Sequence, residues 1–223
     1  MKIAGVDGCK GGWVVVSQAA NQELKADVFP SFRQVVNQNY NLLIVDIPIG
    51  LPDKGAREAD RAARTILGKR HVTVFNAPLR PMLACSEYLD AKDCGRRIHG
   101  KTLSKQIWAI IPKIREVDDL LGPKTQSRIR EGHPEVSFTI MNGGQPVAES
   151  KHTNAGEERR IRLLQSHFPS VCSLINQHRR NAEDVIDACA LLWTAQRIRQ
   201  NCAEAFPGEP REDAHGLTMQ IWA

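Results

Sequence analysis

Hydrophobic positions along this chain follow three patterns: short apolar runs cut by turn residues, one unbroken run, and apolar residues spaced three and four apart. Near the N terminus the runs are short. KIAGV at 2–6 predicts a strand ending at Asp7, GCKGG at 8–12 a turn, and WVVVSQ at 13–18 the returning strand of a hairpin. LKADVFP at 24–30 predicts a third strand, with a short helix around SFRQVVNQ behind it. NLLIVDIPIG at 41–50 is continuously apolar and contains Asp46. A strand that is apolar on both faces and entered through a helix is expected at the centre of a parallel sheet, covered on both sides.

The helical spacing takes over in the middle of the chain. READRAARTILGK at 57–69 predicts a helix ended by Gly68, whereas HVTVFNAPLRP at 71–81 is broken by Pro78 and Pro81 and reads as a loop. A helix near SEYLDAKDC precedes another over 104–121, which Pro112 is expected to kink or split. EGHPEVSFTIM at 131–141 reads as a fifth strand followed by the turn NGG. Two further helices follow, at 156–168 with Asn154 as cap and at 181–200 with Asn181 as cap; the last is about 30 Å long. The terminal GLTMQIWA predicts an added edge strand. Together these elements predict one α/β domain over 1–223. Its sheet is mixed and five-stranded, with helices on both faces and a helical insertion at about 53–128 between strands four and five.

Composition narrows the picture. With 42% hydrophobic and 25% charged residues in 223, the chain has the make-up of a globular protein with enough length for a substantial core. It has no apolar run long enough to cross a membrane and no secretory leader, so a cytoplasmic location is expected. The six cysteines show no CxxC pair or zinc-ligand spacing and read as free thiols. A net charge of +5 favours a phosphate-bearing partner, although the basic clusters at 97–101 and 178–180 have no interleaved aromatics.

Candidate chemistry comes from the carboxylates. Asp7 and Asp46 close two strands, and adjacency of those strands would bring both to the sheet rim where α/β proteins commonly bind ligands. In DVIDACALLW, Asp184 and Asp187 are three apart on one helix face and can point to the same rim. A cap explains Asp184, but Asp187 sits in the second turn among apolar residues, where a cap has no use for it. Four converging carboxylates repel one another unless a cation joins them, and oxygen-only ligands suit Mg²⁺ or Mn²⁺. Two such ions about 4 Å apart support phosphodiester hydrolysis. Glu135 is a candidate fifth acidic group and His133 a candidate proton carrier. Arg61, Arg64, Arg70 and Lys151 are candidate phosphate contacts.

The segments IAGVDGCKGGWVV, VDIPIGLP, READRAARTILG, VFNAP, QIWAIIPKIREVD, EGHPEVSF, SKHTNAGEERRIRLL and EDVIDACALLWTA resemble the uncharacterised-domain family numbered 429. That family is described as predicted nucleases of ribonuclease H-like fold, and the strand order also resembles the Holliday-junction resolvase branch. The resemblance implies a metal-dependent nuclease in which Asp7, Asp46, Asp184 and Asp187 are the metal ligands. Asp46 stands where that branch carries Glu, so its shorter side chain leaves one metal position looser. Nucleic acid is the implied partner; the oligomeric state is open, a dimer included. Two other classes stay open. The turn DGCKGG is similar in shape to the phosphate hairpin of sugar kinases and actin-like ATPases, of which this chain would supply one half. The carboxylates would equally suit a catalytically silent binding module.

Overall fold

Strand β1 (Lys2–Cys9) runs straight through Asp7 and pairs residue for residue with β2 (Gly12–Ala19). The turn shrinks to Lys10 and Gly11, because Gly8 and Cys9 pair with Trp13 and Gly12, and Gly11 takes the φ of 83° that such a tight reversal needs. Next come β3 (Lys25–Phe29), α1 (Phe32–Val36) and β4 (Leu42–Val45). The structure, a computed structural model, describes residues 1–19, 23–100 and 102–223; Lys101 of the basic cluster at 97–101 lies outside them.

The insertion carries α2 (Glu58–Leu67), 3-10 turns at Gly68–Thr73 and Arg80–Ala84, α3 (Tyr88–His99), α4 (Lys105–Asp118) and α5 (Pro123–Gln126). The segment expected as a plain loop at 71–81 is therefore partly 3-10 helical. Pro112 does not split α4, which is capped by Ser104 Oγ accepting from Ile107 N at 3.2 Å.

Beyond the insertion, β5 (Ile129–Gly132) is much shorter than the run 131–141 suggests, since α6 (Pro134–Met141) takes the rest. Pro134 has the fixed φ suited to a first helical position, and VSFTIM shows no strand alternation because nearly every side of α6 is covered. Then follow α7 (Asn154–Gln165), α8 (Val171–Gln177), α9 (Ala182–Arg199), β6 (Ala205–Phe206) and β7 (Ile221–Trp222). The cap of α7 is Thr153, whose Oγ1 accepts from Gly156 N at 3.2 Å, with Asn154 the first helical residue. Asn181 holds the cap position of α9, yet its side chain bonds Asp184 instead of the backbone.

The result is a mixed α/β fold whose sheet has seven strands rather than five, in the order β3-β2-β1-β4-β5-β7-β6. Strands β1, β4, β5 and β7 are parallel neighbours; β2 pairs antiparallel with β1, β3 antiparallel with β2, and β6 antiparallel with β7. The terminal strand β7 lies inside the sheet, and β6 takes the edge. Alternation sorts the two faces: Ile3, Val14, Val16, Leu42 and Ile44 pack with α9, while Ala4, Val6, Val15, Leu43 and Val45 pack with Phe32, Ile114 and Val117 of α1 and α4. Residues 185–195 of α9 are all buried, because α6, α7 and α8 cover the side turned away from the sheet. No helix among the described residues is long and apolar enough to cross a membrane, and all six cysteines are free thiols.

Gly5 sets how closely α9 approaches β1. A Cβ there would lie 2.1 Å from Ala188 O and 2.3 Å from Leu192 N, backbone atoms that cannot swing aside. Gly5→Ala is expected to cost at least the upper end of the about 1–3 kcal/mol typical of overpacking. Urea unfolding measures it, and a loss near zero would mean that α9 is free to shift outward.

Candidate functional site

The same alternation aims two aspartates. Asp7 shares its face of β1 with Ile3 and Gly5, the face covered by α9. Val6 pairs with Val45, and Asp46 N donates to Val6 O at 3.0 Å, so the two aspartates follow adjacent ends of parallel strands. The first two turns of α9 bring Asp184 and Asp187 alongside, Asp187 being only 3% exposed. Asp7, Asp46, His133, Glu135, Lys151 and Asp187 line one cavity of about 500 Å³, together with Arg70, Thr73 and Lys113.

The charges in this cavity disturb one another. Burial raises Asp7 well above the usual carboxylate range, and the charges of Asp46, Asp187 and Asp184 add to it while Lys151 opposes. Asp46 is raised by burial too, with Glu135 adding and His133 and Lys151 pulling it down. Asp187 is pushed up to about 6, chiefly by burial, against the pull of Lys151. Asp184 is raised by burial and by the charge of Glu183. Lys151 Nζ donates to Asp187 Oδ2 at 2.8 Å and pairs with Glu183 at 2.9 Å. Burial works against the Lys151 charge, but these two carboxylates outweigh it and raise its pKa.

Glu135 and His133 stand at the start of α6 rather than on a strand edge. Arg160 grips both oxygens of the Glu135 carboxylate, at 2.7 Å to Oε1 and 2.8 Å to Oε2, so this group is already neutralised and does not stand free as a fifth acid. The same guanidinium donates to Glu149 O and Gly156 O, holding both ends of the loop that presents Ser150, Lys151 and His152. His133 Nδ1 is buried without a partner.

The candidate arginines part company. Arg70 reaches the cavity wall. Arg64 is committed to its own loop, donating to Val74 O at 2.7 Å and Asn76 Oδ1 at 2.6 Å, and Arg61 is exposed on α2 and lines neither this cavity nor the one beside it.

Beneath the cavity lies a network that the sequence pattern conceals. Arg57, fully buried, donates to Asp60 Oδ1 at 3.1 Å, Glu131 Oε1 at 2.8 Å and Ile49 O at 2.7 Å, and also meets Glu131 Oε2. Burial pushes Glu131 up to about 7 in spite of Arg57. Arg57 and Asp60 look like part of the polar face of READRAAR; only their i,i+3 spacing of opposite charges hinted at a pair.

The model of one family matches residues 5–212, a span that contains every cavity residue named above. The chain belongs to the family described as protein of unknown function (DUF429). No curated protein and no solved structure matches it. For this DUF429 chain the geometry therefore has to carry the functional reading. Among the described residues, no three His, Cys, Asp or Glu side chains already form a group that could hold a metal ion. Asp187 is turned to Lys151, and Glu135 to Arg160.

Proposed function

We propose that this DUF429 protein is a divalent-cation-dependent phosphodiester hydrolase acting on nucleic acid. The observation that carries the reading is the mutual charge pressure on Asp7, Asp46 and Asp187 in one cavity, which a hard cation relieves. Their oxygen-only chemistry fits Mg²⁺ or Mn²⁺, with Asp184 close enough to add its charge. Closing a ligand set requires Asp187 to exchange its Lys151 contact for the cation. The order β3-β2-β1-β4-β5, with α9 across it, supports the ribonuclease H-like form of the fold that the family resemblance implies.

Asp7, Asp46 and Asp187 are the residues that would hold a cation, which would supply the charge neutralisation and Lewis acidity that phosphodiester hydrolysis needs. The protein's own groups do the rest. Lys151, Arg70 and Lys113 line the same cavity, Lys113 with its Nζ anchored on Gly12 O, and their charges would draw a phosphate. His133 Nδ1, buried and unpartnered beside Asp46, is the atom placed to hold or pass a proton. Arg160 holds the loop that carries Lys151.

The test is Mn²⁺-dependent hydrolysis across single-stranded, duplex, hybrid and branched nucleic acids and ATP, with Asp7→Asn purified in parallel. Cleavage of a nucleic acid that disappears in Asp7→Asn is the expected result. Silence across the nucleic acids, or cleavage that persists in the variant, overturns the reading; turnover of ATP alone would redirect it to the kinase-like class.

A further inference from the structure

A second cavity, of about 530 Å³, lies against the first, and the two share Val74, Phe75 and Ile107 as a common wall. Ile107 comes from α4, while Val74 and Phe75 belong to a short segment of the insertion braced from below. Arg64 binds Val74 O and Asn76 Oδ1, and Asp60 Oδ2 accepts from Ala77 N at 2.8 Å. This braced segment faces a cavity on each side. Arg70 and Thr73 line the carboxylate cavity, while His71, Val72 and Asn76 line the second, which Met82 and Leu103 make largely apolar.

Two apolar side chains on this wall are left uncovered, Phe75 at 46% and Val72 at 66% exposed. Phe75 is one of only six phenylalanines in the chain. Core packing does not account for an aromatic ring standing between two cavities on a segment that three hydrogen-bonding side-chain contacts keep rigid. A ligand that suits both chambers has an anionic end for the first and a flat, mostly apolar end with polar edges for the second. The two ends must be one residue's thickness apart.

We propose that the second cavity binds a nucleobase, stacked on Phe75, of the nucleotide whose phosphate lies at the carboxylates. This deepens the phosphodiester reading and rests on it for the placement of the phosphate, but base binding itself needs no metal. Stacking on an aromatic ring tolerates any base, because each has a π-face. Asn76, with its Oδ1 fixed by Arg64, has its amide nitrogen left to donate to a base edge.

The experiment measures binding in EDTA by saturation-transfer NMR, using the four nucleosides, a nucleoside 5′-monophosphate, ribose 5-phosphate and a single-stranded tetranucleotide. Nucleosides are expected to bind and ribose 5-phosphate to fail. Phe75→Ala is expected to weaken nucleosides about tenfold, in line with loss of one stacking contact, and Phe75→Trp to restore them. Because Phe75 is half exposed, neither change disturbs the core. Tighter binding of the tetranucleotide than of the monophosphate identifies a strand as the source of the base, and equal binding identifies the free nucleotide; both support the cavity assignment. Absence of nucleoside binding, or binding unchanged in Phe75→Ala, overturns it. Nucleoside binding without hydrolysis of any nucleic acid defeats the nuclease reading alone, and hydrolysis without nucleoside binding defeats this inference alone.

Discussion

Replacing Arg160 by methionine is expected to lower the unfolding free energy by about 3–5 kcal/mol, the cost of leaving a buried charge without its partner. Arg160 is 1% exposed and Glu135 5%, so neither group has bulk water to fall back on. The substitution removes three hydrogen bonds to one carboxylate and the side-chain donor to two backbone acceptors, Glu149 O and Gly156 O. Set against a total of about 5–15 kcal/mol for a typical domain, this is a severe loss. Urea unfolding with an unchanged slope measures it. The pair Arg160→Met with Glu135→Gln should recover much of the deficit, because the second change removes the stranded charge. A single variant within about 1 kcal/mol of the parent would show that water reaches Glu135, since that is the range of an exposed pair. Loosening of the loop around Lys151 is the expected side effect, as Arg160 holds both of its ends.

The second large effect concerns pH. In EDTA, the thermal midpoint is expected to fall between about pH 5 and pH 7.5, and Mn²⁺ at the higher pH is expected to restore it. Asp7, Asp46, Asp184, Asp187 and Glu131 all have folded pKa values raised above their unfolded ones. The folded state thus binds more protons than the unfolded chain through this interval, and stability declines as pH rises. The decline begins near the unfolded values of 3.8 and 4.5 and passes through the folded ones, about 6 for Asp187 and about 7 for Glu131. Asp213 and Glu183, held low, contribute stability that is already complete by pH 5, and Lys151, held high, does not titrate in the interval. His167 works the other way, its pKa lowered by burial and by Arg197. Each kcal/mol moves the midpoint of a chain of this size by about 2–4 °C, so a drop of several degrees is expected. A midpoint that climbs with pH in EDTA would refute the raised carboxylates, and Mn²⁺ without effect on the midpoint would refute the cation site they are proposed to form.

Much of this arrangement was written locally in the chain. Residues at a strand end or on one helix face are placed by the periods of 2 and 3.6 alone. That is why the hairpin, the central parallel strand and the long last helix are legible in the sequence, and with them the places of Asp7, Asp46, Asp184 and Asp187 along those elements. Even the small Gly5 and Ala188 belong to segments whose type was plain from the pattern.

Only the tertiary structure decided the rest, because burial on all sides erases periodicity and ion pairing between distant segments leaves none. The run 134–141 is helix rather than strand since α2, α7 and α9 cover it, and no alternation survives to be read. Arg57 and Arg160 sit in helical patterns that look solvated, yet each is buried by a carboxylate far away in sequence, Glu131 and Glu135. Lys151 reaches Asp187 across 36 positions, which turns an expected open ligand into a paired one. The terminal strand slips between β5 and β6 because β6, formed only after α9, pairs along its outer side. Local sequence placed Asp7, Asp46 and Asp187 on elements that meet at one cavity, and long-range packing set Lys151 against Asp187 and Arg160 against Glu135 there.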